Sequence, residues 1–308
     1  MGKTLFVLLL GDEEGNPVDL YQDLMQKEAR RAGAAAGYSV DVAFAPGFDQ
    51  YRVLRKRLAD ASSPVDAVLT EPANVMSMEL MLKALKGHAG LMLLNIWDVL
   101  VERYALHWGA GLPFGAVSIP HVEVGEIQAR QVSAVVPQGG AVLVVTGPPR
   151  SSSAPERLQG FRSEVRSDIT VHYTGGGEWS EAAGMTAFDS WYGIFKSRHE
   201  EIHAIVGQSD DLAVGARQAS RAVPNPTHVS MFAKAKLFGI GGCPGYGKER
   251  VDDGTLQASV VLPPATGMAI ELLREFWTNG RSVPARSFDE VVPYPPASAD
   301  ARRRTAAG

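Results

Sequence analysis

His199-Glu200-Glu201-Ile202-His203 has the H-E-x-x-H spacing. On a continuous helix, two histidines at i and i+4 share a face and can hold zinc, with the glutamate as general base of a hydrolase. Here the segment from Ile202 reads as a strand running into Gln208-Ser209-Asp210-Asp211, so the two rings are expected to diverge and to be solvated loop residues. Gly242-Cys243-Pro244-Gly245-Tyr246-Gly247-Lys248 has the G-x-x-x-x-G-K spacing of a phosphate-cradling loop. Glu249 stands where Mg²⁺ binding calls for Ser or Thr, and no amphipathic helix is expected before Asp252-Asp253-Gly254. A hydrolase or a nucleotide-dependent enzyme built on His199/His203 or Gly242–Lys248 is the alternative these motifs keep open. Cys243 is the only cysteine, which excludes an intrachain disulfide and a Cys-based metal cluster. A nucleophilic cysteine needs a paired base, so Cys243 is expected to be a small, half-buried loop residue. Gly11–Gly15 lacks the G-x-G-x-x-G pattern of a dinucleotide site. No catalytic residue, metal or cofactor is expected.

Bulk properties narrow the partners. The 308 residues exceed one ordinary core and suit two lobes. Net charge is −4, and 45% hydrophobic with 21% charged residues is ordinary for a globular protein. No basic stripe marks a nucleic-acid footprint. Arg302-Arg303-Arg304 lies in an Ala/Gly-rich end, and 297–308 is expected to be a flexible tail. No apolar run approaches the roughly 18 residues of a membrane span. Thr4–Leu10 is short for a signal peptide, runs straight into Gly11-Asp12-Glu13-Glu14, and precedes no A-x-A-like site. The expected location is the cytoplasm, or the periplasm if the chain is a processed form.

The elements that must position any site alternate along the chain. Thr4–Leu10, Val40–Phe44, Ala67–Thr70, Leu91–Ile96 and Gly115–Ile119 read as strands among helical stretches. The first helix is expected to be capped at Asn16-Pro17 and ended by Gly37, with Val18, Met25, Ala29 and Ala32 as its stripe. After Pro120 the alternation restarts, with strands Gly140–Thr146, Ile169–Tyr173 and Ala204–Gly207 between helices Val122–Val136, Ala154–Val165 and Ser180–Arg198. Lys236–Ile240 and Leu256–Val261 read as strands joined without a helix, then come helix Thr266–Thr278 and a last strand Phe288–Val292. Repeated β-α units with continuous apolar strands imply an α/β fold with two doubly wound parallel-sheet, Rossmann-like lobes joined by a multi-strand hinge. Residues 1–119 plus 263–287 form the expected N-terminal lobe, and 120–262 plus 288–296 the C-terminal lobe. Such sheets bind ligands at strand carboxyl ends, which in two lobes can face a cleft that closes by hinge motion.

Asp66-Ala-Val-Leu-Thr-Glu-Pro72, Leu91-Met-Leu-Leu-Asn-Ile96, Gly147-Pro-Pro followed by Glu156-Arg-Leu-Gln-Gly-Phe161, Ala204-Ile-Val-Gly-Gln-Ser-Asp-Asp-Leu-Ala-Val-Gly-Ala216 and Gly254-Thr-Leu-Gln-Ala-Ser-Val260 occur in register. Together they resemble the type 1 periplasmic binding protein family, the sugar-type solute-binding fold shared with lac-repressor-like effector lobes. The resemblance implies contacts from Asn16, Asp19 and Tyr21 after the first strand, and from Asn95 with Trp97 after the fourth. It implies stacking by Trp179, and contacts from Gln208, Ser209 and Asp210 at the family's "ND" position. Glu71 in the first motif, Ser152 before a second-lobe helix and Leu262 at the third hinge complete the candidate set. Trp97 and Trp179 read equally as packing residues, and Asp210 equally as a helix N-cap. Three positions depart from the family: Gly241 replaces an Asp, Leu262 a Gln and Pro155 an Arg. Each loss removes about 1.5–3 kcal/mol of charged or bidentate hydrogen bonding, which points away from a plain hexose or pentose.

The implied function is a non-enzymatic receptor or sensor that closes over a small organic ligand, carbohydrates included, and is read by a signalling or transport partner. The alternative is the effector-binding component of a transcriptional or kinase system. No helix-turn-helix precedes Thr4, so direct nucleic-acid contact is not expected, nor is membrane insertion.

Overall fold

The computed structural model describes residues 2–96, 99–109, 111–149, 151, 153–175 and 177–296. The chain divides into two compact units, Met1–Ile119 with Pro263–Asp289, and Pro120–Leu262 with Glu290–Gly308.

In the first unit, β1 (Thr4–Leu10), α1 (Leu20–Ala36), β2 (Ser39–Ala45), α2 (Gln50–Leu58), β3 (Ala67–Thr70), α3 (Val75–Leu85), β4 (Gly90–Leu94), α4 (Val99–Ala105) and β5 (Phe114–Ser118) alternate strictly. The second unit carries α5 (His121–Val135), β6 (Ala141–Thr146), α6 (Ser153–Glu164), β7 (Thr170–Gly175), α7 (Glu181–Phe195), β8 (Ile202–Gly207), α8 (Asp210–Ser220), α9 (Pro226–Lys234), β9 (Lys236–Phe238), α10 (Gly247–Asp252) and β10 (Ser259–Val261). The chain then adds α11 (Ala265–Asn279) and β11 (Arg286–Phe288) to the first unit and β12 (Val292–Tyr294) to the second.

The first sheet runs β11-β5-β4-β3-β1-β2, and every pairing in it is parallel. Because side chains alternate sides of a strand, β1 supplies both cores at once. Leu5, Val7 and Leu9 pack with Met25 and Ala29 of α1 and Ala269 and Ile270 of α11. Phe6 and Leu8 pack with Leu54 of α2 and Met78 and Leu82 of α3. A strand covered on both faces reads as an unbroken apolar run, which is why TLFVLLL is a strand here. The second sheet, β7-β6-β8-β9, is built alike. Leu143 and Val145 face α7 and α8, while Val142 and Val144 face Ala129 and Val132 of α5 and Phe161 of α6.

Three local expectations are corrected. The first helix starts at its cap Asp19, whose side chain accepts the Gln22 N–H, rather than at Asn16-Pro17. Pro17 instead bridges Gly11, and Val18 is 53% exposed rather than part of the stripe. A short helix, α10, lies between β9 and β10. The chain flanking these strands pairs in parallel through Phe238 with Ala258 and Gly241 with Val261, and parallel neighbours need a crossover. The expected last strand Phe288–Val292 is two strands: β11 pairs with β5 in the first unit and β12 pairs antiparallel with β10 in the second. The third crossing therefore follows Asp289, whose N–H still donates to Ser118 O in the first sheet.

Helices α5 and α6 touch backbone to backbone. A Cβ on Gly125 would lie 2.0 Å from Arg157 O, and one on Gly160 1.9 Å from Val122 O. Helix propensity alone would make Gly→Ala a gain of about 1 kcal/mol. The overpacking makes it a loss, so Gly125→Ala and Gly160→Ala should each lower stability by about 1–3 kcal/mol in urea denaturation. An unchanged or raised midpoint would show that the pair separates freely.

Candidate functional site

In a parallel sheet the chain leaves neighbouring strands in opposite directions at one point, opening a crevice at the strand carboxyl ends. In the first sheet β1 sits at that reversal, flanked by β2 and β3. Glu71 directly follows β3, and Asn95 directly follows β4. The side chains there converge. Gln22, one turn into α1, accepts the Leu10 N–H on Oε1 at 3.2 Å and donates from Nε2 to Glu71 Oε2 at 2.8 Å. Asn95 Nδ2 donates to the same Glu71 oxygen at 3.2 Å and to the Tyr21 hydroxyl at 3.4 Å. The Tyr21 hydroxyl in turn donates to Pro263 O at 3.0 Å. Asp19 holds the start of α1 through the Gln22 N–H at 2.8 Å. Gln50 braces the loop, donating to Glu71 O at 2.8 Å and accepting the Ala73 N–H at 3.0 Å.

Two features mark strain and unmet bonding. Asn95 has φ 54°, in the left-handed region that Asn tolerates better than most residues. Its Oδ1 is buried and has no hydrogen-bond partner, a state native structures rarely keep without a reason. Burial pushes the Glu71 carboxyl up to about 7, the bonds from Gln22 and Asn95 hold it down, and the nearby Asp19 raises it further. Burial also raises Asp19 itself.

The matching end of the second sheet is internally bonded. Gln208 accepts the Gly147 N–H at 2.9 Å and donates to Ala154 O at 3.1 Å. Arg157 donates to Gln208 O at 2.7 Å, and its guanidinium lies 5.1 Å from the ring centre of Trp179. Trp179 covers Gly147 so closely that a Cβ there would lie 2.0 Å from the indole. The N-cap of α8 is Ser209, whose Oγ accepts the Leu212 N–H at 3.1 Å, so Asp210 is not the cap. Asp210 is buried and accepts from Ser259 Oγ at 2.7 Å and Gly242 N at 2.8 Å, and burial raises it to about 6. Leu262 is buried and donates its N–H to Gly241 O at 3.0 Å. Asn16 is exposed, its amide bonded to Asp12 Oδ2 at 3.1 Å in a local turn away from the Glu71 network. Trp97, Ser152 and the 297–308 tail lie outside the described residues.

Of the predicted set, the structure thus brings together Asp19, Tyr21, Glu71 and Asn95. Gln22 and Gln50 were missed. Gln22 had a signal: with Met25 and Ala29 it falls on the buried stripe of α1, where a polar side chain needs an internal partner.

The enzyme motifs dissolve on inspection of their geometry. Helix α7 ends at Phe195 and His203 lies in β8, so no helix joins His199 to His203. Glu200 bonds His172 at 2.8 Å, and His203 Nδ1 accepts the Ala141 N–H at 3.3 Å. Among the described residues no three His, Cys, Asp or Glu side chains are placed to share a metal. In the Gly242–Lys248 loop, the Gly242 N–H is taken by the Asp210 carboxylate, and the Lys248 ammonium lies 5.2 Å from the Tyr294 ring centre. Cys243 is buried rather than half-buried. An open groove of about 700 Å³ between α1 and α11 touches the Glu71 network only at Pro263, whose carbonyl accepts the Tyr21 hydroxyl. Its charges pair along each helix, Glu28 with Arg31 and Glu271 with Arg274.

Doubly wound units with a polar crevice at a sheet reversal are the architecture of a small-molecule binding protein. A profile of the periplasmic binding protein domain matches residues 16–277, and the chain belongs to that family. It is similar to an ABC transporter periplasmic solute-binding protein of Actinobacillus succinogenes with bound D-allose, at 19% identity and TM-score 0.74 over 95% of this chain and 97% of that one. It is also similar to a periplasmic ribose ABC transporter protein of Conexibacter woesei, at 18% identity and TM-score 0.73 over 100% and 95%. A fructose-binding periplasmic domain of a hybrid two-component system matches at 18% identity and TM-score 0.72 over 99% and 95%. At such identities the likeness is one of fold. No curated protein matches. Among the described residues no helix is long and apolar enough to cross a membrane. The cytoplasmic expectation finds no support in a family named for the periplasm.

A carboxyl whose folded value is raised binds its proton more tightly folded than unfolded, so Glu71 costs stability as pH rises from about 4.5 to about 7. Glu71→Gln keeps an oxygen for both bonds and removes that cost. Thermal melts at pH 5 and pH 8 should show the variant gaining on the native protein by about 1–3 kcal/mol at the higher pH. A pH-independent difference would show that Glu71 titrates normally.

Proposed function

We propose that this protein is a sugar-type solute receptor that anchors its ligand through Asn95 and Glu71, with Tyr21 and Gln22 setting their positions. The observation that carries the proposal is the unpartnered, buried Asn95 Oδ1, held at a strained backbone position beside a carboxyl at the sheet reversal. A protein that only folds would gain by pairing that atom; a receptor keeps it for a ligand hydroxyl or amine. Family membership and the bound allose and the ribose and fructose of the named relatives support a carbohydrate or close analogue. Family membership also favours a periplasmic location and a binding role without catalysis. The named relatives serve ABC transporters and a hybrid two-component system, and the partner proposed here is of one of those two kinds.

A thermal-shift screen across monosaccharides and polyols, followed by calorimetry, tests this directly. A true ligand at about 100 times its Kd adds roughly 2.7 kcal/mol of stability. Asn95→Gly suits the positive φ while removing the side chain, and should weaken that ligand about tenfold, a larger loss than the lost bonds to Glu71 and Tyr21 cost the apo protein. Failure of every sugar to stabilise the protein at millimolar concentration would refute the proposal.

A further inference from the structure

The donors at the tip of the first unit are largely used up within it. Asn95 Nδ2 spends its hydrogens on Glu71 and Tyr21, the Tyr21 hydroxyl spends its own on Pro263 O, and Gln22 Nε2 gives one to Glu71. What the cluster presents is acceptors: the buried, unpartnered Asn95 Oδ1 and a carboxylate that takes both of these bonds on one oxygen, Oε2. The charge acting on Glu71 is that of Asp19, a second carboxylate at the cap of α1. Two neighbouring carboxylates beside an unpartnered acceptor are poorly balanced unless a cation completes them. Arg157, Gln208 and Asp210 are bonded within the second unit.

We infer that the ligand is an amino sugar or similar amino polyol, whose protonated amine docks on Asn95 Oδ1 and the Glu71 carboxylate. This rests on the sugar-receptor function proposed above and names the class of ligand within it. An ammonium brings three donors and one positive charge to a place that offers acceptors and negative charge, whereas a neutral hydroxyl brings one donor and no charge.

Matched probes separate the two. D-glucosamine, D-glucose and N-acetyl-D-glucosamine, with the corresponding galactose and mannose series, are titrated into the full chain by calorimetry at pH 7.5. In the series that binds, the amine should bind at least about tenfold tighter than its neutral parent and its N-acetyl derivative. Glu71→Gln, checked for folding by circular dichroism, should erase that preference, the amine falling to the affinity of its neutral parent measured on the same variant. Where Glu71→Gln does not fold, Asn95→Gly is read by the same amine-to-neutral affinity ratio, which should fall. Neutral sugars binding as tightly as their amines, or a preference that survives in Glu71→Gln, would overturn the inference and leave the sugar receptor standing. No binding in any series would overturn both.

Discussion

Covering both faces of a parallel sheet leaves polar chemistry one place to go. In the first unit β1 is apolar along its whole length because Leu5, Val7 and Leu9 serve one core and Phe6 and Leu8 the other. No side chain within such a strand can carry a ligand contact without breaking a core. Function is displaced to the strand ends, and the reversal at β1 gathers several ends into one crevice. Glu71 and Asn95 stand one residue past their strands, where the ladder fixes the backbone while the side chain is freed from the core.

The same constraint explains why Glu71 can be a carboxylate at all. A buried carboxyl without a cation is costly, and the structure limits that cost through amide donors from two other elements, Gln22 on α1 and Asn95 after β4. Gln22 is itself pinned by the Leu10 N–H at the end of β1. The carboxylate is thus supported from β1, α1 and β4, so its position is set by the sheet rather than by a mobile loop. Asp210 in the second unit shows the contrasting outcome. It is more deeply buried, but Ser259 and Gly242 satisfy it, and Gly239, Gly241 and Gly247 close around it, each with a Cβ position within 2.8 Å of its carboxylate oxygens. That carboxylate stitches the crossing loop to α8.

Periodicity made the architecture legible. Thr4–Leu10 and Ala67–Thr70 have the same bounds in sequence and structure because a doubly covered strand leaves no other reading for an apolar run ended by Gly-Asp or Glu-Pro. Boundaries failed where two local signals competed. Asn16-Pro17 and Asp19 both offer helix starts, and the bridge of Pro17 to Gly11 decided for Asp19. Helix α10 went unseen because six residues give too little pattern, and only the parallel pairing on either side demands it. At the candidate site, the resemblance put Glu71 and Asn95 in the same wide set as Asp210, and nothing in the sequence told Glu71 from Asp210. One keeps acceptors open beside it and the other does not, and that depends on partners 24 to 49 residues away.

That difference also gives meaning to the departures from the family's sugar-binding pattern. Where the resemblance implies an Asp, a Gln and an Arg, this chain has Gly241, Leu262 and Pro155: Gly241 lies against Asp210, Leu262 is buried, and Arg157 is held by Gln208 O beside the Trp179 ring. In the first unit, by contrast, the buried Asn95 Oδ1 is left open. A receptor whose anchor is acceptor-rich and negative selects against ligands that bring only acceptors or negative charge, such as sugar acids and phosphates, because each would add an unpaired like charge to a desolvated site. On the proposed reading, specificity comes as much from what Glu71 and Asp19 repel as from what Asn95 attracts.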